Sequence, residues 1–283
     1  MPPCRAGSLS VEVLRVSSAL RARLEAAPLD AGQVMSVYAS AANLAWSDGG
    51  VVALHGPGDL RAPFAAAMPD RVVPRFRSGT SVRRTGGALA IGDLTLVWRT
   101  ARVADVRVPP AGPGAPLPAL GAAAAGSRGS AFEMGLGREV LPALVEGLAC
   151  HDGERVLRAA RELIGLGPGL TPAGDDCLVG VLAVLHRVDA AWLASVPALR
   201  DGIGAAARAG TTSVSAEFLR HALHGLFAEP LVDLVTATTG EGAHEGARRL
   251  RAHGATSGAD TLLGVALALR AVESRAGYGR GCW

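Results

Sequence analysis

Asp175 and Asp176 follow a glycine-rich run, Gly165-Leu-Gly-Pro-Gly-Leu-Thr-Pro-Ala-Gly174, and stand ahead of an apolar stretch from Leu178 to Leu185. Adjacent carboxylates beside a loop rich in backbone amides can hold a cation through the acids or an anion through the amides. The pattern Gly174-x-Asp176-x-Leu178-x-Gly180 recurs as Gly258-x-Asp260-x-Leu262-x-Gly264, again ahead of an apolar run, Val265 to Leu269. Thr171 precedes the first copy, and Thr256-Ser257 the second. A third group, Thr211-Thr-Ser-Val-Ser215, has more hydroxyls than a helix cap uses.

These residues admit two readings. In one, two helix mouths face a single pocket, with Asp176, Asp260 and Thr171 as its catalytic groups. Gly167, Gly169, Gly174, Asp175, Thr211, Thr212, Ser213, Ser215, Thr256, Ser257 and Gly258 then bind the ligand. In the other, the acids and hydroxyls only cap their helices. The surrounding glycines favour the first, because a cap alone does not need them.

The elements that position these groups follow from periodicity. Val156, Leu157, Ala160, Leu163 and Ile164 recur at helical spacing, and Gly165 is a natural end to that helix. Thr171 reads as the cap of the next helix and Pro172 as its first residue. Gly180 and Gly264 lie one turn below their aspartates, where a missing side chain admits another backbone. Further helices are expected over Val140–Leu148, over Leu193–Ala209, and from the hydroxyl cluster through Leu226, with Pro230 as a stop. The first 108 residues instead read as short strands, after a brief helix capped by Ser17 or Ser18. Strands are expected at Val34–Tyr38, Ala39–Trp46, Val51–His55, Ala88–Ile91, Leu94–Trp98 and Val103–Val108. Asn43, the single asparagine, either orients a ligand amide or makes a strand-edge hydrogen bond. The resulting fold class is α+β. A mainly β domain spans 1–108, a Pro/Gly/Ala-rich linker 109–131, a helical domain 132–275 and a flexible tail 276–283.

Composition removes several chemistries. All 28 basic residues are arginine, so there is no Schiff-base lysine and no P-loop lysine. The run at Gly165 follows a helix and lacks GxGxxG spacing, so no nucleotide cofactor is expected. No serine sits in a GxSxG elbow. Cys4, Cys150, Cys177 and Cys282 lack metal-ligand spacing, and Cys177 is either a nucleophile or a small buried filler. His221 and His224 have no third ligand nearby in sequence. Arg71, Arg75, Arg77, Arg83 and Arg84 could hold an anion or form a solvated face. A net charge of +3 and few aromatics argue against nucleic acid. No membrane span or signal segment is evident, so a cytoplasmic protein is expected. Asp175, Asp176 and Asp260 form an oxygen-only set that suits Mg²⁺ better than zinc.

Taken together, the Gly165–Gly180 motif, Thr211-Thr-Ser-Val-Ser-Ala-Glu-Phe-Leu219 and Thr256-Ser-Gly-Ala-Asp260 with Leu262 and Gly264 resemble the AllH-like family, which is linked to oxamate carbamoyltransferase. The third motif departs from the family pattern, with Gly254-Ala255 where Gly-His is expected and His253 on the other side. The resemblance implies one subunit of a multi-protein enzyme of allantoin and purine catabolism, with other carbamoyltransferase subunits as partners and a small anionic substrate. The implied reaction phosphorolyses N-carbamoyl oxamic acid (oxalurate) to oxamate and carbamoyl phosphate. Two other classes stay open: a non-catalytic assembly or ligand-binding subunit, and a Mg²⁺-dependent helical hydrolase of the ADP-ribosylglycohydrolase kind.

Overall fold

A computed structural model of the protein describes residues 9–26, 31–85, 87–111, 121, 124, 129–137 and 139–277. The chain divides into two compact units, Met1–Val106 and Arg107–Trp283, the first mainly β and the second helical. This is the expected α+β class. Much of the linker expected at 109–131, and residues 278–283 of the expected tail, lie outside the described residues.

The first unit contains β1 (Leu9–Glu12), β2 (Arg15–Ser17), α1 (Ser18–Ala26), β3 (Gly32–Val37), β4 (Ala41–Trp46) and β5 (Val51–His55). After these come β6 (Ala65–Ala67), β7 (Ser81–Thr85), β8 (Ala88–Ile91), β9 (Leu94–Val97) and β10 (Arg102–Ala104). They form one sheet in the order β1-β9-β8-β7-β3-β4-β5-β6-β2-β10. β1 and β2 are near neighbours in sequence yet lie near opposite ends of that order. The backbone between them explains it: Val13 N donates to Val97 O at 2.8 Å and Leu14 N to Ala67 O at 2.9 Å. One stretch thus passes from β9 to β6 and curls the sheet on itself. Period-two burial, as with Leu94 and Leu96 on β9, fills the interior alongside Leu44, Val52 and Leu54. Leu20 and Leu24 of α1 join that core. Ser17 is the cap: its Oγ accepts from Leu20 N at 3.0 Å.

The strand expected over Val103–Val108 ends at Ala104, and Arg107 forms an isolated bridge with Leu226 inside the second unit. The arginine group is dispersed rather than convergent: Arg75 pairs with Asp93 at 2.6 Å, and Arg77 donates to the carbonyls of Pro74 and Phe76. Asn43 is buried on β4 and donates to Ser36 Oγ at 3.2 Å, the strand hydrogen bond of the two roles considered.

The second unit contains α2 (Val140–Ala149), α3 (Gly153–Leu163), α4 (Ala173–Val188), α5 (Ala190–Ser195), α6 (Pro197–Gly210) and α7 (Ser213–Ala222). It is completed by α8 (Glu229–Thr236), α9 (Gly240–Arg251) and α10 (Ser257–Gly277). Three boundaries differ from expectation. The helix expected over Leu193–Ala209 is two helices parted at Val196-Pro197, since the residue before proline leaves the helical region (φ −117°, ψ 65°). α7 stops at Ala222, and Pro230 opens α8 instead of ending α7, where its missing amide costs nothing. α4 begins at Ala173: Pro172, not Thr171, holds the cap position, and its carbonyl accepts from Asp175 N and Asp176 N. No helix among the described residues is long and apolar enough to cross a membrane.

The repeat seen around the two aspartates extends into the helices before them. Asp152 caps α3 by accepting from Arg155 N, and Thr239, 87 positions later, caps α9 by accepting from Gly242 N. Leu163 O receives Leu166 N at the end of α3, and Leu250 O, again 87 positions on, receives His253 N at the end of α9. Leu166 O then accepts from Gly174 N, as His253 O accepts from Gly258 N. α3–α4 and α9–α10 are therefore two versions of one helix-turn-helix frame, the second with a turn three residues shorter.

Candidate functional site

The frame brings α4 and α10 together along their glycines. A side chain on Gly180 would strike Thr261 O and Val265 N, and one on Gly264 would strike Cys177 O. Thr261 stands to Gly264 as Cys177 stands to Gly180, so the contacts are reciprocal. Gly174 and Gly258 serve a similar purpose one level up, packing on Leu163 O and Leu250 O. These two glycines are packing positions.

With the helices this close, their first turns share an entrance. Thr171 Oγ1 and Ser257 Oγ lie 2.8 Å apart and link the two mouths. Burial pushes the Asp176 carboxyl well above the ordinary carboxylate range, and the charges of Asp260 and Asp175 push it further. Hydrogen bonds from Ser257 and Thr171 oppose that shift. Asp260 is fully buried, and its carboxyl is raised by burial against the opposing hydrogen bonds of Ala131 N and Thr256. Ala131 N donates to Asp260 Oδ1 at 2.8 Å. Asp176 Oδ2 and Asp260 Oδ2 are both shielded from solvent, and neither has a hydrogen-bond partner among the described residues. A buried polar atom left in that state costs about 1–3 kcal/mol, which marks the pair as unfinished among the described residues.

Asp175 faces elsewhere. Its Oδ1 accepts from Gly165 N at 3.0 Å, and its Oδ2 accepts from Ser215 Oγ at 2.8 Å and from Thr211 Oγ1. Burial raises this carboxyl too, against those three bonds. The hydroxyls of Thr211 and Ser215 thus point at an acid of their own chain. Thr212 caps α7 through Ser215 N and donates to Leu170 O, while Ser213 is exposed on the first turn of α7. Together these bonds fasten the glycine loop to α7. Gly165, Gly167 and Gly169 hold φ of +76°, +115° and +99°, a left-handed path that other residues resist. The tip Pro168–Leu170 is exposed.

Asn43 belongs to the first unit, apart from these residues in the chain's division. Cys177 is completely buried, and burial raises its thiol far above the range of a reactive cysteine, so it is a filler. His221 is buried rather than superficial, 3.3 Å from Glu217. Arg220 and His221 hold Glu217 down to about 2, although its burial works the other way.

Sequence reasoning missed Ala131 and Glu217. A signal for the first was present: Ser130-x-x-Glu133 is a capping pattern, and Ser130 Oγ does accept from Glu133 N at 3.1 Å, which shapes the turn that presents Ala131 N. Glu217 had no comparable signal, because an acid one turn from Arg220 and His221 also suits an exposed helix face.

No solved structure matches the chain significantly. Two family models do: "AllH family N-terminal domain" over residues 10–103, which is the curled sheet, and "Oxamate carbamoyltransferase subunit AllH" over residues 163–269, which spans both mouths and α7. With the sheet, the glycine loop and both aspartate mouths all inside those matches, the chain belongs to the AllH family of oxamate carbamoyltransferase subunits.

Proposed function

We propose that this chain works in the cytoplasm as a subunit of a carbamoyltransferase complex that phosphorolyses oxalurate to oxamate and carbamoyl phosphate during allantoin breakdown. The observation that supports the reading is that Asp176 and Asp260 lie close enough for Asp260 to act on Asp176, each with an unpartnered buried oxygen, inside the segment matched to the transferase subunit. In this reaction a phosphate oxygen attacks the carbamoyl carbon, and the bond from that carbon to the oxamate nitrogen breaks. The proton given up by the phosphate ends on that nitrogen. The exposed glycine loop gives an anion close access to backbone, and the Thr171 and Ser257 hydroxyls line the entrance. Asp176 and Asp260 are the groups placed to carry the proton. Reconstitution with the other subunits tests this: each of Asp176→Asn and Asp260→Asn should lower carbamoyl phosphate formation by about a hundredfold or more while the complex still assembles. Parental rates in both variants would make this a non-catalytic assembly subunit.

A divalent cation is a second reading of the same entrance, favoured by the two unpartnered carboxylate oxygens. Asp176 and Asp260 offer Mg²⁺ the hard oxygen donors it prefers. Asp175, the third acid expected to hold the metal, already accepts from three donors. Among the described residues no group of three or more His, Cys, Asp or Glu side chains is placed to hold a metal. A cation here would offset the charge met by an anionic ligand; like charges about 4 Å apart repel by roughly 4 kcal/mol at an effective dielectric near 20. Titration calorimetry with and without EDTA decides it, because equal ligand affinity in both conditions ends the metal reading.

A further inference from the structure

The unfinished part of this entrance is a pair of atoms. Asp176 Oδ2 and Asp260 Oδ2 are out of contact with solvent and lack partners among the described residues, and Asp260 as a whole residue is 0 % exposed. An ionised carboxylate oxygen can only accept, so whatever completes the ionised pair must donate. Among the described residues, the charged groups acting on Asp176 are Asp260 and Asp175, both acids. Ala131 N bonds Asp260 Oδ1, and the linked hydroxyls of Ser257 and Thr171 lie beside Asp176. Each acid has one oxygen left over, offered from one of two pseudo-equivalent helices.

We propose that these two oxygens receive the two hydrogens of one primary carbamoyl nitrogen, so that the entrance recognises the NH₂ end of the group being transferred. The inference rests on the carbamoyltransferase reading of the site. A –CO–NH₂ group carries two donors on a single atom, which matches two acceptors, one offered by each helix. N-alkylation removes those hydrogens and leaves buried acceptors unsatisfied, while a carboxylate in the same place brings a like charge to the pair.

Calorimetry on the full chain, alone and in the reconstituted complex, tests this in EDTA with three stable probes: phosphonoacetamide, its N,N-dimethyl derivative and phosphonoacetate. The parent protein should bind the primary amide at least about tenfold more tightly than the other two, the loss expected when hydrogen bonds to charged acceptors are removed. Asp176→Asn and Asp260→Asn, confirmed as folded by circular dichroism, should narrow that gap. Equal affinity of the parent protein for the primary and dimethyl amides overturns the proposal without any variant. Binding of none of the probes overturns it too, as does amide binding that appears only when Mg²⁺ replaces EDTA. Amide selectivity in a complex that makes no carbamoyl phosphate would refute the reaction assigned above and leave this recognition standing. Carbamoyl phosphate formation without amide selectivity would do the reverse.

Discussion

The two helix mouths share a pattern and differ in what stands behind it. The first has a long turn with three left-handed glycines and a second acid, Asp175, that ties the turn to α7 through Gly165, Thr211 and Ser215. The second has a turn three residues shorter, with Gly254 at φ +64° and Ala259 where the first mouth has Asp175. Its support comes instead from Ala131 N, from outside the repeat. The feature the mouths keep in common is the aspartate with an unpartnered oxygen, Asp176 in one and Asp260 in the other. Of the three acids that look alike in sequence, two keep an unpartnered oxygen and one braces a loop.

The comparison can be broken most forcefully at the glycines. Gly180→Ala and Gly264→Ala each drive a side chain into the backbone of the opposing helix, so each should lose on the order of 3 kcal/mol or more in urea unfolding. A large loss at one position and none at the other would contradict reciprocal packing. Asp175→Ala comes next: it strands three donors, and a loss of about 2–3 kcal/mol is expected, with raised proteolysis of the loop. A variant as stable as its parent would show that the first turn needs no brace.

A smaller effect, of opposite sign, is expected at the shared acids. Both carboxyls are raised, so the folded chain keeps protons that the unfolded chain has released, and stability falls as pH rises above the ordinary carboxylate range. Asp176→Asn and Asp260→Asn should therefore melt higher than the parent at neutral pH even as they lose activity; lower melting would reverse the assignment of strain to this pair. The smallest effect belongs to Glu217. Its folded value, about 2, lies below the unfolded one, so its contribution is present above about 4.5 and is lost as pH falls through 2. Glu217→Gln should flatten the acid limb of the melting curve over that window, and an unchanged limb would dismiss the Arg220–His221 partnership.

What could be read in advance follows how local the causes are. The strands at Ala41–Trp46, Val51–His55, Ala88–Ile91 and Leu94–Val97 announce themselves through alternation and tight turns at Gly49 and Gly92. The close approach at Gly180 and Gly264 was legible because a repeated glycine below a repeated acid has a steric meaning. The destination of the Thr211–Ser215 hydroxyls was not legible, since Asp175 lies 36 residues before Thr211 and nothing local ties them. Pro230 was misread because proline marks a helix start as readily as a stop.

The closure of the sheet also imposes an order in time. Residues 9–17 emerge from the ribosome long before their partners at 94–97 and 102–104. Throughout that interval β3, β4 and β5 can pair as consecutive hairpins and β2 can take β6 at 65–67, but β1 has no such neighbour to turn to. The nascent chain must carry β1 unpaired until β9 is made near the end of the unit, and one edge of β2 open until β10 follows, and during that time they are open to wrong partners.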